Sequence, residues 1–100
     1  MLSIADIKAT IEPIVKDTKV QKLVLFGSYT EGTASEESDI DLYMFSNGAI
    51  TGLAFYDLKS KIEEAFGMEV DLLPDLDIIP NSPVGRQINE SGAVIYEYQG

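Results

Sequence analysis

Residues 25–44 read LFGSYTEGTASEESDIDLYM, and the rest of the chain is organised around them. Leu25 and Phe26 close an apolar strand. Gly27-Ser28 turns out of it, a small polar loop follows, and Asp39-Ile40-Asp41 opens a second strand. Successive strand side chains point to opposite faces, so Asp39, Asp41 and Tyr43 share one face while Ile40, Leu42 and Met44 share the other. Alternating Asp on a solvent-facing edge would be harmless. Asp is a poor strand former, however, and two of them heading a strand with an apolar opposite face point to a site. Like charges this close destabilise each other unless a cation sits between them. Gly27 lets the backbone approach a ligand, and the amides that follow it, with the Ser28 hydroxyl, suit a phosphate. Alone, Gly-Ser is equally a plain turn.

Composition narrows the chemistry. One hundred residues predict a single small domain spanning 1–100, and 45% apolar residues predict a globular one. No apolar run approaches the ~20 residues of a membrane span, and MLSIADIKAT lacks the basic and apolar regions of a signal peptide, so a cytoplasmic location is expected. The chain has no cysteine and no histidine, so any metal must be bound by oxygen, as Mg²⁺ or Mn²⁺ would be rather than zinc. The net charge is −10, and no basic residue lies between Lys22 and Lys59. Such a surface repels nucleic acid and attracts a basic protein partner. For the scattered charges, solubility is explanation enough. Self-association is compatible with the sequence, which does not decide it.

The flanking segments predict a layer of helices on a small sheet. Ser3 caps a helix whose stripe is Ile4, Ile7, Ile11, Ile14 and Val15, with Pro13 imposing a kink or an early end. Residues 20–26 form a strand whose continuous apolar run, Leu23 to Phe26, suggests a central place buried on both faces. Tyr29 to Gly32 suits one helical turn and 33–38 an exposed loop. Residues 39–45 form the second strand, ended by Ser46-Asn47-Gly48. A helix follows from about Thr51 to Phe66, with Phe55, Leu58, Ile62 and Ala65 inward, a Lys59–Glu63 surface pair, and Gly67 in the left-handed position after its end. Residues 68–73 form a third strand, 75–81 a loop, Ser82-Pro83 the start of a helix turning Val84 and Ile88 inward, and 93–96 a last strand. The fold class is α+β (mixed α/β), with about four strands in a mostly antiparallel or mixed sheet.

Asp71 is the third piece. It lies between Val70 and Leu72, and it comes beside Asp39 and Asp41 if the two strands are neighbours; Glu69 competes for that role. Leu25-Phe26-Gly27-Ser28, Ser38-Asp39-Ile40-Asp41-Leu42, Val70-Asp71-Leu72 and the ending from Ile88 to Tyr96 together resemble the minimal nucleotidyltransferase domains of the DNA polymerase β superfamily.

The resemblance covers nearly the whole chain. It implies a metal-dependent nucleotidyltransferase that takes ATP or another nucleoside triphosphate. Gly27 and Ser28 would bind the β- and γ-phosphates, and Asp39, Asp41 and Asp71 would be catalytic and hold two Mg²⁺ ions, with Mn²⁺ an alternative. One ion would neutralise the triphosphate; the other, shared with Asp71, would activate the attacking hydroxyl, whose proton Asp71 could accept. Domains of this kind are often the antitoxin of a toxin–antitoxin pair. The partner there is a small helical HEPN-type toxin, and AMP passes to a hydroxyl of that protein. The alternative is a non-catalytic module that keeps the fold and binds a basic partner. One departure stands out: where the family commonly has Ala-Arg, this chain has Thr30-Glu31, a carboxylate near the expected phosphates.

Overall fold

The computed structural model describes residues 3–27, 39–74, 82–83, 85–86, 90 and 92–98. Its elements run α1 (Ile4–Val15), β1 (Lys22–Phe26), β2 (Ile40–Phe45), α2 (Gly52–Phe66), β3 (Val70–Pro74) and β4 (Ala93–Glu97). The strands form one mixed sheet in the order β3-β2-β1-β4. β1 is antiparallel to both β2 and β4, while β2 and β3 are parallel. The tally of an α+β layer with about four strands is borne out.

Local chemistry explains the element ends. Ser3 Oγ accepts the Asp6 N–H at 3.1 Å and Asp6 Oδ2 accepts the Ser3 N–H at 3.3 Å, a reciprocal cap that starts α1. Pro13 lies inside α1 without an N–H to donate back to the Ala9 carbonyl, and the helix ends two residues on, at Val15. After β2, the buried Ser46 Oγ accepts the Ile50 N–H at 3.2 Å and closes the turn through Asn47 and Gly48. Gly67, at φ 69°, ends α2, its N–H donating to the Glu63 carbonyl at 2.8 Å. Ser82 Oγ accepts the Gly85 N–H at 3.1 Å and its carbonyl accepts the Arg86 N–H at 2.9 Å, so the expected helix start at Ser82-Pro83 is present. The expectations for residues 29–38, for 75–81, and for Val84 and Ile88 lie outside the described residues.

Burial follows strand alternation. Ile40, Leu42 and Met44 join Leu23, Leu25, Val70, Leu72 and Ile95 in the core under α1 and α2. The opposite face carries Val24 and Phe26 with Tyr43 and Leu73. β1 is therefore central and buried on both sides, as its unbroken apolar run requires. On α2, Leu58 and Ile62 are buried and Phe55 half-buried, but Ala65 is exposed and Phe66 takes its place against the core. The expected Lys59–Glu63 pair gives way to Lys61–Asp57, at 3.2 Å, because the Glu63 carboxylate is drawn to the backbone of β3. No helix among the described residues is long and apolar enough to cross a membrane.

The core is shallow enough that single anchors matter. Ile62→Ala is expected to lower unfolding free energy by about 2–5 kcal/mol, while Leu53→Ala, at a site 88% exposed, should change it by about 0.5 kcal/mol or less. Urea midpoints of the two variants would check the contrast.

Candidate active site

The ladder sets the site. Asp41 lies opposite Phe26 on β1 and opposite Asp71 on the parallel strand β3. Asp39 immediately precedes β2. Directly opposed residues share a face, so Asp41 and Asp71 project together from one end of the sheet. Asp39 and Asp71 are exposed; Asp41, on the inner strand β2, is half-buried. The Asp41 carboxyl is pushed above the ordinary carboxylate range, first by burial, then by the charge of Asp71, then by that of Asp39. Asp41 thus feels both neighbours. Among the described residues, no three carboxylates are already drawn into a closed metal-binding cluster.

Gly27 follows the last residue of β1, next to the Phe26–Asp41 pair. It is buried, with φ 77°, in the left-handed region that side chains avoid. A Cβ there would overlap Asp41 Oδ2. Backbone conformation therefore favours glycine here, and any side chain would also force the Asp41 carboxylate to shift. Ser28, the other half of the expected phosphate turn, lies outside the described residues.

A cleft of about 370 Å³ opens beside the carboxylates, lined by Asp39, Lys59, Glu63, Glu69, Val70 and Asp71. Glu69 lines it from just before β3, while Asp71 holds the position opposite Asp41. Lys59 and Glu63 come from α2 and had no sequence signal beyond helical spacing, which read as a surface pair. Glu63 Oε2 instead accepts the Val70 N–H at 3.0 Å. A larger cavity, about 440 Å³, lies between Lys16 and Gln21, Ala49 and Tyr98 at the opposite end of β1, and it contains none of these carboxylates.

Comparisons with known proteins fit this geometry. The sequence pattern described as "Polymerase beta, Nucleotidyltransferase" matches residues 8–99. The protein adenylyltransferase MntA of Shewanella oneidensis is 36% identical over 55 residues, which cover 55% of this chain and 40% of that protein. A Methanocaldococcus jannaschii protein, provisionally named a protein adenylyltransferase, is 35% identical over 79 residues, covering 79% of this chain and 85% of its own length. A chain from a crystal structure of a toxin–antitoxin with AMP-PNP superposes with a TM-score of 0.75 at 26% identity, over 92% of this chain and 74% of that one. This chain belongs to the polymerase β nucleotidyltransferase family.

Proposed function

We propose that this chain is a protein adenylyltransferase, moving AMP from ATP to a hydroxyl of a protein partner, and that it is the antitoxin of a small helical HEPN-type toxin. The observation that carries the reading is Asp41 in register with Asp71, with the backbone of Gly27 against the same carboxylate. The adenylyltransferase names of the relatives and the AMP-PNP in the similar toxin–antitoxin structure support ATP as the donor. Residues 1–100 would act as one nucleotidyltransferase domain in the cytoplasm, with the acceptor hydroxyl supplied by the partner.

The residues fit a divalent cation. The donors are all oxygen, the chain has no histidine or cysteine, and the Asp41 pKa is raised first by burial and then by the charges of Asp71 and Asp39, which a cation would offset. Asp39, Asp41 and Asp71 would hold two Mg²⁺ ions, with Mn²⁺ as a substitute. Bound there, the cations would offset triphosphate charge and acidify the acceptor hydroxyl. The side chains do the rest. The backbone after β1 would face phosphate oxygens at Gly27, and Ser28 would add a hydroxyl donor. Asp71 takes the acceptor proton as the acceptor oxygen bonds to the α-phosphorus. The bond to the β-phosphate oxygen breaks, and pyrophosphate leaves with the electron pair.

Labelled ATP, Mg²⁺ and a co-purifying helical protein test the reading. Label should pass to the partner and fall by about 100-fold or more in the Asp39→Asn/Asp41→Asn double variant, since even outer-shell partners of a metal matter on that scale. No label, with partner binding retained in both proteins, would leave the non-catalytic module.

Two further outcomes follow from the same carboxylates. The folded pKa of Asp41 lies above its ordinary 3.8, so the folded state binds a proton more readily than the unfolded chain does. Stability is then lost as pH rises from about 3.8 through the folded value. Asp41→Asn should therefore raise the cation-free thermal midpoint at pH 7, with a gain that shrinks on acidification through that window. A midpoint below wild type at pH 7 would show that repulsion is not what Asp41 experiences. Gly27→Ala should destabilise by at least about 1–2 kcal/mol from its backbone conformation alone and should weaken ATP binding, read by melting with and without nucleotide.

A further inference from the structure

We propose that Glu63 is a positioning residue of the active site: it clamps the start of β3 and thereby holds Asp71 opposite Asp41. The inference rests on the functional reading above. Glu63 closes the connection between α2 and β3 at both of its ends. Its backbone carbonyl accepts the Gly67 N–H at 2.8 Å, which ends the helix. Its Oε2 accepts the Val70 N–H at 3.0 Å, on the first residue of the strand. One residue therefore fixes where the helix stops and where the strand begins.

That clamp adds to the sheet register at an edge: among the described residues, β3 is hydrogen-bonded in the sheet only to β2. Asp71 itself is exposed, so no packing of its side chain sets its position. Its place is set by the backbone of Val70, which is buried and in register with Ile40. A bond from a carboxylate to a backbone N–H is charge-assisted, so it is stronger than a neutral one of the same length. Glu63 also lines the cleft that holds Asp39 and Asp71, so loss of the clamp would be felt at the candidate ligands directly. The tie fixes the bearing of a ligand through its neighbour, as outer-shell partners do in metal sites.

The test compares Glu63→Ala, which removes the acceptor, with Glu63→Gln, which keeps an amide oxygen for the Val70 N–H but no charge. Two readouts are taken on the full chain: amide hydrogen exchange at Val70 and Asp71, and affinity for Mn²⁺ as the probe ion. In Glu63→Ala, exchange at both amides should speed up and Mn²⁺ binding should weaken by about 10–100-fold. Glu63→Gln should stay near wild type in both. Transfer to the partner should lose kcat in Glu63→Ala, with KM for ATP retained, because Asp71 serves the acceptor. If Glu63→Ala does not fold, Glu63→Asp, which keeps the charge and shortens the reach, takes its place and should behave as the alanine variant would. Equal loss of Mn²⁺ binding in Glu63→Gln and Glu63→Ala would overturn the proposal, since Glu63 would then act through its charge on the ion. Unchanged exchange and affinity in Glu63→Ala would overturn it too. A wild-type chain that binds no Mn²⁺ would sink the functional reading instead, and exchange at Val70 and Asp71 would still decide the clamp.

Discussion

Asp41 and Asp71 stand at matched positions on adjacent parallel strands, and burial, then the charge on Asp71, makes Asp41 harder to ionise. Much of the architecture follows from bringing those two carboxylates together. Antiparallel neighbours can be joined by a tight turn, but parallel ones need a long crossover, usually a helix. Here α2 is that crossover, and it packs along β3 while burying Leu58 and Ile62. The helix that covers the core is thus the same element that delivers Asp71 to its place.

The two faces of the sheet divide the work. Period-two alternation sends Ile40, Leu42 and Met44 into the core and leaves Asp41 and Tyr43 on the other side. Because β2 lies inside the sheet, Asp41 cannot escape to solvent as an edge residue could, and it is only half-buried rather than free. Its antiparallel neighbour then fixes what can follow β1. The Phe26–Asp41 pairing brings the next residue so near to the carboxylate that a side chain there would displace it, and Gly27 avoids this.

Most of this was legible in the sequence because it depends on local periodicity. Asp39-Ile40-Asp41-Leu42 announces both faces of β2, and Leu23 to Phe26 announces a central strand. Ser3 with Asp6, and Gly67 after Phe66, mark helix ends by short-range hydrogen bonding. Even the nearness of Asp71 to Asp41 could be expected once the two strands were taken as neighbours, although their parallel register could not. What the sequence hid is tertiary. Glu63 sits four residues after Lys59, and helical spacing alone pairs them. The pairing is overridden because an amide at the end of an adjacent strand is a better partner than a solvated ammonium, and nothing in the spacing reveals that the amide is there. Ala65 is displaced for a similar reason: Phe66, also one turn after Ile62, has far more surface to bury and packs against the core.

The carboxylate cluster also explains why a chain of net charge −10 concentrates its strain at one point. Charges scattered on a surface are screened by water and salt and change stability little. Asp41 is different because burial and two neighbouring charges act on one group. The fully buried Ile7, Ile11, Leu23, Leu25, Ile40, Leu42 and Met44 supply the apolar core that carries the sheet on which this group sits. Like charges held this close, on a half-buried group, are an arrangement that a cation would relieve. The backbone of Gly27 lies against one side of Asp41, and the Glu63–Val70 bond ties down the start of the strand that carries Asp71.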